Sequence, residues 1–134
     1  MNAMEKVAWA ELLVCATAVA AVGLLVPWLG DGAMGGFGLL GFLGFTALFL
    51  RQRGNRVITD ERDTQIQRTA TGLSMGAAWF TLFMGVTALV IWANQERDVV
   101  PTRVLTWLIW ISFAVLYGVK GLAGVVLYRR HHAA

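Results

Sequence analysis

Apolar residues fill four long blocks of the chain, and polar residues are confined to the short stretches between them. A helix needs about 20 apolar residues, within a range of about 17–25, to cross the hydrocarbon core of a bilayer. The blocks satisfy this requirement and cover roughly residues 7–29, 33–50, 72–93 and 104–128. The pattern predicts an all-α, polytopic membrane protein: a four-transmembrane-helix bundle in a single domain, residues 1–134.

Composition agrees with the pattern, since 57% of the 134 residues are hydrophobic and 14% are charged. In soluble domains about 45–50% of the residues are hydrophobic and about 25% are charged. The single cysteine, Cys15, excludes an intramolecular disulfide and a cysteine-based metal site. Glu11 interrupts the first apolar block, which then continues to Leu29, so we expect a retained span rather than a cleaved signal.

Lys and Arg residues predict the orientation, because they accumulate in the cytoplasmic loops of membrane proteins. Two of them, Arg97 and Arg103, fall on one predicted side. The other side comprises the N-terminus, the loop 51–71 and the C-terminus, and carries Lys6, Arg51, Arg53, Arg56, Arg62, Arg68, Arg129 and Arg130. We therefore expect both termini in the cytoplasm. Topology explains the net charge of +3, so we expect no direct nucleic-acid binding.

The stretch "TDERDTQIQRTATG", residues 59–72, predicts the start of the third helix. Thr59 or Asp60 suits an N-cap, and acidic residues in the first turn face the partial positive charge of the helix end. A helix from here to Ala93 is about 51 Å long, against a hydrocarbon core of about 30 Å. Its first three turns should extend into the cytoplasm.

Two interpretations of this charged start remain open. It is either a solvated helix end that sets topology, with its acids paired to loop arginines, or a docking surface for a cytoplasmic protein or a second copy. The docking residues would be Asp60, Glu61, Arg62, Asp63 and Ile66.

The run "DERDTQIQRTA" resembles the Asp-Glu-Arg-Asp-x-x-Ile signature of small prokaryotic integral membrane proteins of unknown function, where it precedes the third of about four spans. Thr69 stands where relatives often carry Lys. The resemblance implies a multi-pass protein of the prokaryotic cytoplasmic (inner) membrane. Such proteins are often encoded beside small helix-turn-helix regulators. The resemblance therefore also implies that this protein is the membrane partner of a soluble regulator.

Glu11 and Lys120 are the ionisable residues inside the predicted spans, where an unpaired charge costs about 2.5–3.5 kcal/mol. Three interpretations apply: both side chains reach the inner interface, they form an intramembrane ion pair between the first and fourth spans, or they relay a proton or cation. Small multidrug resistance transporters are also four-span chains with a Glu in the first span. Their short loops and weak charge bias differ from the pattern here.

Small residues recur every three positions in two predicted spans, and such stripes allow helices to approach closely. We predict that they pack against another span or against a second subunit. The stripes comprise Gly35, Gly38, Gly41 and Gly44, and then Gly118, Gly121 and Gly124.

No phosphate loop, nucleophile motif or metal-ligand spacing occurs in the sequence, so we expect no enzyme activity and no cofactor. The favoured function is a non-enzymatic membrane protein that acts through protein contacts, as a regulatory, scaffold or accessory subunit. Its expected partners are the bilayer, a second copy, and a soluble cytoplasmic protein or larger membrane complex. The alternative is a small four-span transporter or proton-coupled exporter that uses Glu11.

Overall fold

The computed structural model describes residues 3–45, 61–96 and 99–132, and its regular secondary structure there is entirely helical. Helix α1 covers Ala3–Leu29, a 3₁₀ helix covers Gly30–Phe45, α2 covers Glu61–Glu96 and α3 covers Thr102–His132. Asp60 and the end of the second predicted span lie outside the described residues.

Three helical stretches are long and apolar enough to cross a membrane, which confirms the prediction of a helical membrane protein. They are Met4–Phe45, Glu61–Glu96 and Thr102–Arg130. The first combines α1 with the 3₁₀ helix, so the stretches number three where the sequence pattern predicts four spans.

The chain reverses direction at Gly30, between α1 and the 3₁₀ helix. Gly30 has a φ of 53°, a left-handed conformation that glycine adopts without steric cost. Beyond the turn, an ideal Cβ on Gly36 would lie 2.9 Å from Val22 Cγ2. The absence of a side chain at Gly36 therefore lets the 3₁₀ helix lie antiparallel against α1.

The 3₁₀ helix has a glycine face and an apolar face, because its 3.0 residues per turn align every third side chain. Phe37 and Leu40 are buried in a core with Cys15, Ala18 and Val22 from α1. The predicted stripe makes no close packing contact with another described helix, since ideal Cβ atoms on its glycines would meet nothing within 4 Å. Its members are Gly35, Gly38, Gly41 and Gly44.

The second glycine stripe packs α3 closely and antiparallel against α1. An ideal Cβ on Gly121 would lie 2.7 Å from the backbone nitrogen of Leu12, and one on Gly124 would lie 2.9 Å from Ala8 Cβ. Closer to the middle of α1, the Cys15 thiol donates a 3.1 Å hydrogen bond to the Ala114 carbonyl. Small residues on α3 thus set the distance between the two helices.

Helix α2 packs antiparallel along the other side of α3, where Gly85 lies against the Leu108 side chain. It makes little contact with α1 or the 3₁₀ helix within the described residues. The arrangement is therefore more open than the expected bundle. Large apolar side chains such as Trp79, Phe80 and Phe83 are exposed on α2, as suits a surface in contact with lipid.

We predict that Gly121→Ala destabilises the protein, because its methyl group would collide with the α1 backbone. Overpacking of this kind costs about 1–3 kcal/mol of unfolding free energy. The control is Gly76→Ala on α2, where an added Cβ meets open space. Unfolding followed by circular dichroism in detergent should show a loss of stability for Gly121→Ala alone. Equal stability of the two variants would contradict the packing argument.

Candidate functional site

Glu11 of α1 and Lys120 of α3 form an ion pair, with 2.7 Å between Lys120 Nζ and Glu11 Oε1. The residues that follow them, Leu12 and Gly121, make the close backbone contact between the helices. The Glu11 side chain is 7% exposed and that of Lys120 is 24% exposed. Of the three interpretations of these residues, the structure contains the arrangement in which they pair.

The ion pair lies at the wall of a cavity of about 530 Å³, which we call the cleft. The cleft separates the C-terminal half of the 3₁₀ helix from α3. Its lining combines glycines, aliphatic side chains and aromatic rings with the two charged residues. The lining residues are Glu11, Leu40, Gly41, Leu43, Gly44, Trp110, Phe113, Tyr117 and Lys120.

Contacts on the Gly30 side of the cleft hold the 3₁₀ helix against α3. Arg103 pairs with Asp31 at 3.4 Å, and the Trp107 indole donates a 3.2 Å hydrogen bond to the same carboxylate. The ring of Phe37 stacks on Trp110 with 5.8 Å between centroids. The two helices are thus joined at this end and separate toward Gly44. Sequence reasoning missed Asp31, whose only signal was an acid in a short loop beside a span.

The start of α2 is attached to the end of α3 by a buried hydrogen bond. The Tyr128 hydroxyl donates to Asp63 Oδ1 at 3.1 Å, and Asp63 and Ile66 are both buried. Sequence reasoning assigned Tyr128 to the membrane interface and did not identify it as the partner of an acid.

The predicted docking residues therefore divide into two groups. Glu61 and Arg62 are exposed, whereas Asp63 and Ile66 point into the structure. Asp60 lies outside the described residues. The exposed side of the first turns carries a polar groove lined by Glu61, Thr64, Gln65 and Arg68.

A cation–π contact joins α1 and α3 at the same end of the molecule. The guanidinium of Arg129 lies 5.4 Å from the centroid of the Trp9 ring. Within the described parts of the chain, no group of three or more His, Cys, Asp or Glu residues is placed to hold a metal ion.

A family model described as "Predicted membrane protein (DUF2178)" matches residues 6–130. The chain belongs to this family. Membership in DUF2178 agrees with the resemblance to small membrane proteins of unknown function, and the match extends well beyond the charged run at residues 60–70. No curated protein and no solved structure matches the chain.

We predict that Lys120→Met strongly destabilises this DUF2178 protein, because it leaves the buried Glu11 carboxylate without its ammonium partner. Removing one member of a buried ion pair costs about 3–5 kcal/mol. Adding Glu11→Gln should recover part of that loss, with a coupling energy of about 0.5–3 kcal/mol in a double-mutant cycle.

The control cycle uses the exposed residues Lys6 and Glu61, changed to Met and Gln. Unfolding in detergent should give additive effects for this control pair. Additive effects for Glu11 and Lys120 as well would show that their ion pair contributes nothing to stability.

Proposed function

We propose that this protein is a non-enzymatic protein of the prokaryotic cytoplasmic membrane that acts through protein contacts. In this proposal it crosses the bilayer four times, keeps both termini in the cytoplasm, and presents the exposed face of the first turns of α2 to a cytoplasmic partner. The docking surface comprises Glu61, Arg62, Gln65 and Arg68.

The turn at Gly30 supports the four-span topology. The sixteen residues of the 3₁₀ helix extend over about 32 Å at a rise of about 2.0 Å per residue. That length matches a hydrocarbon core of about 30 Å. Since the 3₁₀ helix runs antiparallel to α1, the stretch Met4–Phe45 can cross the membrane twice.

The position of Asp63 is the observation that carries the docking proposal. Its bond to Tyr128, with the burial of Ile66, attaches the first turns of α2 to α3. At 36 residues α2 is about 54 Å long and exceeds the hydrocarbon core by several turns. A helix end fixed in this way holds Glu61 and Arg62 in a constant geometry, which favours specific recognition.

Transport through Glu11 is the second candidate, and the location of Glu11 on the cleft wall favours it. The pairing of Glu11 with Lys120 weighs against it. A carboxylate that is already paired with an adjacent ammonium attracts a further cation less strongly. We therefore rank transport below docking.

Cysteine labelling tests the topology in a Cys15→Ala background. We expect a membrane-impermeant maleimide to label Gly32→Cys and Glu96→Cys in intact cells. Gln65→Cys should be labelled only after the membrane is permeabilised, because it lies about 46 Å along α2 from Glu96. All three positions are exposed, so their local accessibility is similar. Protection of Gly32→Cys in intact cells would contradict the outer turn.

An exchange of charges tests the docking surface. The double variant Glu61→Arg/Arg62→Glu preserves the net charge and the number of Lys and Arg residues while inverting the local pattern. We expect a cytoplasmic partner to co-purify with the wild-type protein in mild detergent and to be lost from this variant, as measured by intact-complex mass spectrometry.

The control for this exchange is Glu96→Lys, a charge reversal at the exposed opposite end of α2. It should retain the partner. If the partner stays bound to the exchanged variant, or if only a homo-oligomer is recovered, the charged start of α2 is not the docking surface.

A further inference from the structure

We propose that the cleft is a binding site for a neutral, lipid-soluble molecule with a ring carbonyl, of the membrane-quinone class. The site rests on the membrane topology proposed above, but it is separate from the docking surface at the start of α2 and does not depend on docking.

The size and walls of the cleft suit a flat molecule. Its volume of about 530 Å³ falls within the range of about 300–1,000 Å³ typical of small-molecule sites. Trp110, Phe113 and Tyr117 supply aromatic rings along one wall. On the opposite wall Gly41 and Gly44 have no side chains, so a planar ring can lie against the backbone of the 3₁₀ helix.

Lys120 supplies the polar contact. An ammonium carries three donor hydrogens, and its bond to Glu11 Oε1 uses one of them. Both residues line the cleft, and because the Lys120 side chain is 24% exposed and that of Glu11 is 7% exposed, the lysine offers more accessible surface than the carboxylate. The matching group on a ligand is therefore a hydrogen-bond acceptor.

The net charge of the Glu11–Lys120 pair favours a ligand whose hydrogen-bond acceptor is neutral. Glu11 and Lys120 together carry no net charge, so an anionic ligand would bring an uncompensated charge into a medium of low dielectric constant. A carbonyl oxygen accepts a hydrogen bond without that cost. A ring that bears such a carbonyl also stacks on the aromatic wall.

Access to the cleft is from the side, within the bilayer. Gly41, Gly44 and Phe113 are exposed on the surface of the described chain. Lys120 precedes Tyr128 by eight residues, or about 12 Å along α3, and in the four-span topology proposed above this places the ammonium inside the hydrocarbon region. A ligand that reaches it must dissolve in lipid.

The groove between α2 and α3 differs from the cleft in its polar groups. That groove measures about 180 Å³ and is lined almost entirely by apolar side chains. Its Ser112 hydroxyl already donates a 2.8 Å hydrogen bond to the Leu108 carbonyl. The groove therefore suits a lipid acyl chain, whereas the cleft offers both an aromatic wall and a donor.

Decylubiquinone is the test probe, added to the purified full-length protein in detergent while quenching of tryptophan fluorescence is recorded. We expect saturable quenching for the wild-type protein. Gly41→Leu should raise the Kd at least tenfold, because the new side chain projects into the cleft without meeting the backbone. Gly38→Leu, one 3₁₀ turn away on the same open face but outside the cleft, should bind as the wild type does.

A second variant, Glu11→Gln/Lys120→Met, removes the ammonium while retaining the cavity, and it should raise the Kd to a similar extent. Palmitate, an anionic lipid-soluble probe, should fail to displace decylubiquinone. Non-saturable quenching, or equal Kd values for Gly41→Leu and Gly38→Leu, would overturn the site. Tighter binding of palmitate than of decylubiquinone would overturn the neutral-carbonyl class.

Discussion

The close approach of α1 and α3 at Gly121 is the constraint on which the other interactions depend. Without a side chain at Gly121, the backbone of Leu12 comes into contact with α3, and the preceding residues on both helices, Glu11 and Lys120, meet at 2.7 Å. The pair in turn fixes the register, since sliding one helix past the other by a single turn would separate the buried Glu11 carboxylate from its ammonium partner. Packing brings the charges together, and the cost of separating them preserves the packing.

The 3₁₀ helix also depends on positions that have no side chain. Its glycines recur every third residue from Gly32 to Gly44, the period at which a 3₁₀ helix superimposes side chains. Crowding between superimposed positions normally limits such helices to a few residues, and glycine removes it from one face. Sixteen residues then extend over about 32 Å, where an α-helix of equal length would reach about 24 Å. The described part of this segment thereby reaches a length close to the thickness of a hydrocarbon core, about 30 Å.

The sequence predicted the helical class and the long helix of the charged run, because apolar block length and capping residues are local signals. It also gave the pairing of Glu11 with Lys120 as one of three interpretations, and the structure contains that pair. It did not predict that the stripe of Gly35, Gly38, Gly41 and Gly44 would make no close packing contact with another described helix. A repeat of three suggests a packing stripe in an α-helix, and the contact is made instead by Gly36, outside the repeat. Partners such as Asp31 and Arg103 depend on how separate helices are placed side by side, which no local pattern encodes.

The charged start of α2 shows why a run of charges resists a single interpretation. Successive residues of an α-helix point about 100° apart, so adjacent charges cannot all face the same surroundings. Asp63 turns inward to Tyr128, while Glu61 and Arg62 remain exposed. The inward acid requires a donor because an unsatisfied buried carboxylate is costly, and the bond that satisfies it also fixes the direction of its exposed neighbours. Because Asp63 anchors the helix end, Glu61 and Arg62 are held in fixed positions. This fixed position is the physical basis for proposing that they recognise a partner.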